Sequence, residues 1–405
     1  GAPIPYFDGF ASQAVSGAEA LAGVTGAADV AWQEQSPLSE SPWTIRLQNV
    51  ALTDDVLAFF YTQTSTEPLA YENATQYARN QAVFPVWAEA AGGKHLVNPL
   101  YREGHPLDEY TLACLVAYPL DEPLADGQTL LVNRRFHDAA NAYEGGIELT
   151  IDRSRRNDPT VAYTPMLEVR QALPLRADGQ PQAFDYVIER IAFTPFGNRC
   201  LLNFRSTGGN NAFFGYRLLD DQGRPLPTFP LTQTASSVAS EEHPVWVRNE
   251  QWFYGGEGTG TLTLAPVGRE VTLHPEQREI AVPLDSLPAD VPLEGGATVH
   301  IERCEVGPDG FYLTYDPRDC VDSLSFDLAG ADGQSLDFRF VSYDLHDAAR
   351  GLLGAGGSWT EEYKGRAVPR VSAEDLQRVT NLLIRYSPSR CQLLLEQATV
   401  LPLGE

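Results

Sequence analysis

The stretch Val187–Phe204, VIERIAFTPFGNRCLLNF, decides the fold. An alternating strand pattern runs into a short turn, Thr194-Pro195-Phe196-Gly197, and a second apolar strand follows. Alternation of period two on both sides of a turn rich in Gly and Pro predicts a β-hairpin. The same grammar occurs twice more. Thr44–Tyr61 reads TIRLQNVALTDDVLAFFY around Thr53-Asp54-Asp55, and Val299–Tyr315 reads VHIERCEVGPDGFYLTY around Gly307-Pro308-Asp309-Gly310.

A second recurring piece follows each hairpin. Phe84–Val97 is FPVWAEAAGGKHLV, Phe214–Leu226 is FGYRLLDDQGRPL, and Leu324–Leu336 is LSFDLAGADGQSL. Each sets apolar residues at alternate positions before a turn: Gly92-Gly93, Asp221-Gln222-Gly223 or Asp332-Gly333. Glycine there supplies the positive φ that such turns require. Each copy then closes alike, with QALPL at Gln171–Leu175, IAVPL at Ile280–Leu284 and TVLPL at Thr399–Leu403. A proline near the end of a last strand suits a sheet edge, where no ladder donor is needed.

Three repeats therefore run over 40–176, 184–286 and 297–405, behind an N-terminal segment 1–39 in which residues 9–22 read as a short amphipathic helix. The expected fold class is all-β: tandem immunoglobulin-like β-sandwiches with a few short helices. Repeats two and three have the size and turn rhythm of that architecture. The first is longer, and its surplus, Ala70–Gln81 and Asn133–Pro159, reads as loops or an added hairpin. In the third, Ser372 followed by Asp375 resembles a capping box for one or two helical turns. Residues 176–180 and 286–296 read as linkers, the second stiffened by Pro288 and Pro292.

Composition narrows the function classes. The 405 residues are 43% hydrophobic and 10% aromatic, enough for real cores. The longest apolar run, Leu112–Leu120, is interrupted by a proline and is too short to span a bilayer as a helix. Fifty-four acids against 29 bases give a net charge of −25, which disfavours nucleic acid and anionic lipid as partners. Lys94 and Lys364 are the only lysines, a bias that reads as a GC-rich genome rather than a binding device. The five cysteines, Cys114, Cys200, Cys304, Cys320 and Cys391, are too few and scattered for a disulfide scaffold. Cys114, Cys200 and Cys304 read as small buried hydrophobes. Cys304 and Cys320 are placed where a hairpin could join them. The chain opens on Gly1-Ala2-Pro3 without an initiator Met, and so reads as trimmed of an upstream targeting or anchoring segment.

The pattern I-x-x-I-x-x-T-P-x-G at Ile188–Gly197, with L-x-D-x-x-G-x-x-L at Leu218–Leu226, resembles the extracellular region of a group of Gram-positive bacterial membrane proteins. These are anti-sigma-factor-like or lipoprotein-like proteins built from domains of unknown function. Asp126-Gly127 with the strand Gln128–Val132 resembles the membrane-proximal closing part of the same group. The resemblance spans nearly the whole chain, but its motifs are turn signals and carry no chemistry. It implies a membrane-anchored protein whose repeats lie on the outer, cell-surface side.

A search for catalytic chemistry returns little. Gly356-Gly357-Ser358-Trp359 lacks the closing glycine of a nucleophile elbow and reads as a flexible loop. No zinc-protease helix, phosphate loop or dinucleotide fingerprint occurs, and no two of the seven histidines have i, i+4 spacing. Asp220-Asp221 and Asp327 with Asp332 read as hairpin turns rather than calcium loops. The expectation is a protein that is not an enzyme and needs no metal or organic cofactor.

One segment is a candidate binding site. Pro244–Gly258 carries Trp246, Trp252 and Tyr254 beside Arg248 and Asn249, a set suited to stacking on a sugar or holding a peptide. The competing reading, which we favour, places Trp246 and Trp252 in the core of the second sandwich. The functional expectation is a non-enzymatic ectodomain acting in binding, spacing or signal sensing as a monomer, with a protein, peptide or glycan as ligand. The alternative is a secreted or lipoprotein glycan- or peptide-binding module.

Overall fold

The computed structural model describes residues 24–403 except 27–32, 36–42, 70–74, 84–85, 91–94, 97–98, 135–141, 145–146, 156–159, 174–181, 195, 207–212, 231–244, 270–275, 321–323, 337–339, 348–351, 359, 364–365, 370–372 and 388–390. The helix expected over 9–22, the linker over 176–180 and the Gly92-Gly93 turn fall wholly or mostly outside the described residues. The chain is all-β, an array of tandem two-sheet sandwiches with short helices. It divides into two compact units. One takes the chain up to Thr160 together with residues 194–196 and 305–312; the other is Val161–Phe193, Gly197–Cys304 and Leu313–Glu405.

The first unit holds one sandwich. Its four-stranded sheet runs in the order Trp43–Leu52, Val56–Ser65, Thr111–Pro119, Tyr101–Pro106, all antiparallel. The facing sheet orders Val24–Gly26, Ile147–Ile151, Thr129–Arg134, Val86–Ala90, His95–Leu96. Alternate residues Phe59, Tyr61, Cys114, Val116 and Tyr118 meet Leu130, Leu149 and Ile151 in the core. The central strands are buried on both faces, which is why Leu112–Leu120 reads as an unbroken apolar run. On the outer face Phe60 packs against Phe196, their ring centroids 6.3 Å apart.

Part of the surplus read as loop in this repeat is a helix, Gln76–Ala82. Thr75 is its N-cap, accepting from the Ala78 N–H. Asp309 accepts the Thr75 hydroxyl proton at 2.7 Å, and Glu305 accepts the Gln76 N–H at 3.0 Å. Two carboxylates thus meet the positive end of the helix, where a negative charge is stabilised. Gly104 lets the helix approach the sheet: a Cβ there would sit 2.6 Å from the Arg79 carbonyl oxygen.

The second unit holds the other two sandwiches apart from residues 194–196 and 305–312, which fall in the first. In one, Val161–Tyr163 and Leu167–Leu173 both pair with Gln182–Thr194, and Gly197–Ser206, Val245–Phe253 and Thr228–Pro230 follow in order. The facing sheet centres on Thr261–Arg269, with Phe213–Leu219 on one side and Cys391–Leu393 and Thr399–Pro402 on the other. Tyr186 and Tyr216 cross the interior edge-to-face at 5.6 Å. In the other sandwich, Arg278–Pro283, Val379–Tyr386 and Ser325–Gly330 form one sheet. Ala289–Pro292, Thr298–Val306, Gly310–Asp316, Leu352–Ser358 and Phe340–Asp347 form the second. Tyr315 and Phe326 join them at 4.8 Å.

The recurring turns are the same object built twice. Leu226 N–H donates to the Leu218 carbonyl and Leu336 N–H to that of Leu328, each at 2.8 Å. Gly223 donates to Asp220 and Gly333 to Gly330, each at 3.0 Å, and both glycines sit at φ 74°. A side chain at either position would meet open space but strained backbone.

The closing strands sit at sheet edges, as their prolines predict, but each in a sheet assembled from another repeat. Leu167–Leu173 lies on Gln182–Thr194 of repeat two. Arg278–Pro283 of repeat two lies on Val379–Tyr386 of repeat three, and Thr399–Pro402 of repeat three returns to Thr261–Arg269 of repeat two. Leu394, Leu401 and Leu403 consequently belong to the core that contains Tyr186 and Leu218.

Three local expectations are corrected. Residues 289–292, read as linker, form a strand of a hairpin closed by Gly295 and Gly296. Gly356 and Gly357 lie in the buried strand Leu352–Ser358 rather than a flexible loop, paired with Ser342 and Val341. Cys304 and Cys320 form no hairpin disulfide. The helix suggested by Ser372 and Asp375 is present at Ala373–Gln377.

Candidate functional site

Of the five residues singled out in Pro244–Gly258, Arg248 and Trp252 share one strand face and Asn249 lies on the other. The five lie on or just beyond the strand Val245–Phe253, whose alternation sends neighbours to opposite faces. Asn249 points with Gln251 and Phe253, opposite Leu202 and Cys200, while Arg248, Glu250 and Trp252 share the other face. The Trp246 side chain lies outside the described residues; its backbone pairs with Arg205. Trp252 and Tyr254 are fully buried and offer no surface for stacking on a sugar. Trp252 donates its Nε1 proton to Glu250 at 2.6 Å, and Glu250 also takes the Arg199 guanidinium at 3.0 Å. The Arg199 guanidinium carbon lies 5.8 Å from the Trp252 ring centroid. A cation, its counter-ion and an aromatic face satisfy one another here, which is how a buried charge is tolerated.

Other candidates are likewise occupied by structural roles. Asp220 accepts from the Gln222 and Arg224 N–H groups and from the Arg224 guanidinium. Asp327 accepts from Leu328 N–H, the Ser335 hydroxyl and Arg385. Neither carboxylate is spare for calcium. Burial pushes the Cys200 thiol up to about 12 and raises Cys114 well above its ordinary value, so neither has the thiolate character of a nucleophile.

The site that does converge is one that single residues did not advertise. Asp290 and His300 are direct cross-strand partners in the hairpin Ala289–Pro292 / Thr298–Val306. His300 Nδ1 lies 2.6 Å from Asp290, and its Nε2 lies 3.2 Å from Glu302, two residues on and therefore on the same face. Arg318 reaches Asp290 at 2.8 Å from the far end of strand Gly310–Asp316. Its own backbone sits at φ 48°, uncommon for a residue with a side chain, and its N–H donates to Asp316 at 2.8 Å.

The electrostatics split the two aspartates. The hydrogen bonds from His300 and then Arg318 hold the Asp290 carboxyl below its ordinary range. Burial raises Asp316, with the Arg318 N–H partly opposing it. The two carboxyl groups are thus shifted in opposite directions around a partly exposed histidine. Among the described residues no cluster of three or more His, Cys, Asp or Glu is arranged to hold a metal. The clue available in sequence was His300-x-Glu302 spacing combined with the Glu294-Gly295-Gly296 turn, which sets Asp290 opposite His300.

No protein-family model matches the chain, and no curated protein matches it. Among solved structures it is similar to the crystal structure of a conserved domain protein from Bacillus anthracis. That likeness has 10% sequence identity, covers 62% of this chain and 81% of the other, and has a TM-score of 0.37.

Proposed function

We propose that the chain is a non-enzymatic ectodomain of a membrane-anchored bacterial protein, acting outside the cell in binding, spacing or signal sensing. The observation that supports this most is the strand exchange between repeats two and three. A strand shared between sandwiches makes a displacement in one a displacement in the other, which suits a protein that spaces or relays rather than one that turns over substrate. The anti-sigma-factor-like resemblance of the Ile188–Gly197 and Leu218–Leu226 patterns supports the same reading, as does an acidic surface suited to staying in solution. Trp252 and Tyr254 are buried and so offer a glycan or peptide no stacking surface.

Topology in the native host tests the proposal. An epitope inserted after Glu405 in the natural full-length protein is expected to bind antibody on intact, wall-digested cells. Binding only after membrane lysis would overturn it.

A further inference from the structure

The two exchanged strands occupy equivalent places. Thr261–Arg269 receives the C-terminal strand in the register Thr261↔Pro402, Leu262↔Leu401, Thr263↔Val400 and Leu264↔Thr399. Val379–Tyr386 receives the closing strand of repeat two as Asn381↔Pro283, Leu382↔Val282, Leu383↔Ala281 and Ile384↔Ile280. Aligning IAVPL with TVLPL makes the two registers identical, with Leu262 in the place of Leu382 and Leu401 in the place of Val282. Two acceptor edges of one kind have traded two strands of one kind. Between separate chains, the same arrangement is domain swapping.

We infer that the edge of Thr261–Arg269 is an interaction surface for a second copy of this chain, whose C-terminal arm, residues 391–403, takes the place of the resident arm. Every contact of the arm is available unchanged from a second copy. Leu394, Leu401 and Leu403 enter the same core, Leu403 N–H donates to the Gly260 carbonyl at 2.9 Å, and Thr399 meets Tyr186. The closed monomer and the exchanged dimer therefore differ in no sheet contact, and concentration decides between them. The arm is also light. It is two short edge strands, Cys391–Leu393 and Thr399–Pro402, and it already turns Leu395 and Val400 outward at 61% and 59% exposure. Edge strands are the sheet elements most open to replacement by another chain.

Single-cysteine exchange tests this with the full chain. Thr263 and Val400 are cross-strand partners, close enough for a disulfide once both are cysteine. A Thr263→Cys chain and a Val400→Cys chain are mixed at high concentration, warmed to just below the unfolding midpoint, cooled and oxidised. The expected result is a covalent heterodimer whose cross-linked peptide joins positions 263 and 400, with a yield that rises with concentration. A chain carrying both substitutions, oxidised before mixing with a differently tagged wild-type chain, should lose at least tenfold in co-capture and regain it on reduction. No 263–400 cross-link at any concentration would overturn the inference. So would co-capture indifferent to the intrachain lock, since the contact would then lie elsewhere.

Discussion

The phenol oxygen of Tyr186 and the hydroxyl oxygen of Thr399 lie 2.7 Å apart, across 213 residues of chain. The contact ties the first strand of repeat two to the closing strand of repeat three, beside the Tyr186–Tyr216 ring pair. Removing either oxygen from this part-buried pair is expected to cost about 1 kcal/mol. Tyr186→Phe and Thr399→Val should therefore each lower the urea midpoint. The double variant should lose clearly less than the sum, the mark of a direct interaction. Strict additivity would mean that the two groups do not interact.

Acid titration separates the two aspartates around His300. Asp290 is held low by its partners, so its contribution to stability is fully present above the ordinary carboxyl value of about 4 and drains as pH falls through the lowered one. Asp290→Asn is expected to destabilise the protein at neutral pH, and the difference should vanish in strong acid. Asp316 has the opposite sign. Burial raises it, so its contribution is present below about pH 4 and is lost as pH climbs through the raised value. Asp316→Asn should stabilise at neutral pH and not in acid. Denaturant titrations across the pH range check both, and parallel curves for the two variants would contradict this electrostatic assignment.

Salt should stabilise the chain. With 54 acids and 29 bases, 25 carboxylates have no cation partner even if every base is paired, and their mutual repulsion weakens the compact state. Raising ionic strength from about 0.02 M to about 0.5 M shortens the screening length severalfold. The thermal midpoint is expected to rise over that range, to a similar extent in NaCl and KCl. A fall would mean that attractive ion pairs, such as Arg153–Asp54, outweigh the repulsion.

The hairpins and the paired turns were legible because their signals are local. Thr53-Asp54-Asp55 and Gly307-Pro308-Asp309-Gly310 close on themselves through bonds between residues three apart, Thr53 N–H to Val56 and Gly307 N–H to Gly310. The strand exchange was not legible, because IAVPL and TVLPL fit either acceptor in the same register and no local feature chooses between them. Gly356 and Gly357 carry a loop composition into a buried strand, where their partners on Phe340–Asp347 rather than their own propensity decide. Trp252 was visible as an aromatic, and Glu250 shares its face by alternation, but Arg199 is placed beside them only by cross-strand register. His300 became a site for the same reason, through Asp290 on the preceding strand.

Hydrogen exchange on the full chain carrying Leu401→Ala tests most directly that the C-terminal strand completes the second sandwich. Leu401 is buried against Leu262, and truncating such a side chain costs about 2–5 kcal/mol. Amide protection is expected to be lost over Thr261–Arg269 and Gln182–Ser206, far upstream in sequence, while Thr111–Pro119 is unaffected. Loss confined to Val379–Pro402, with repeat two protected as in the wild type, would contradict it.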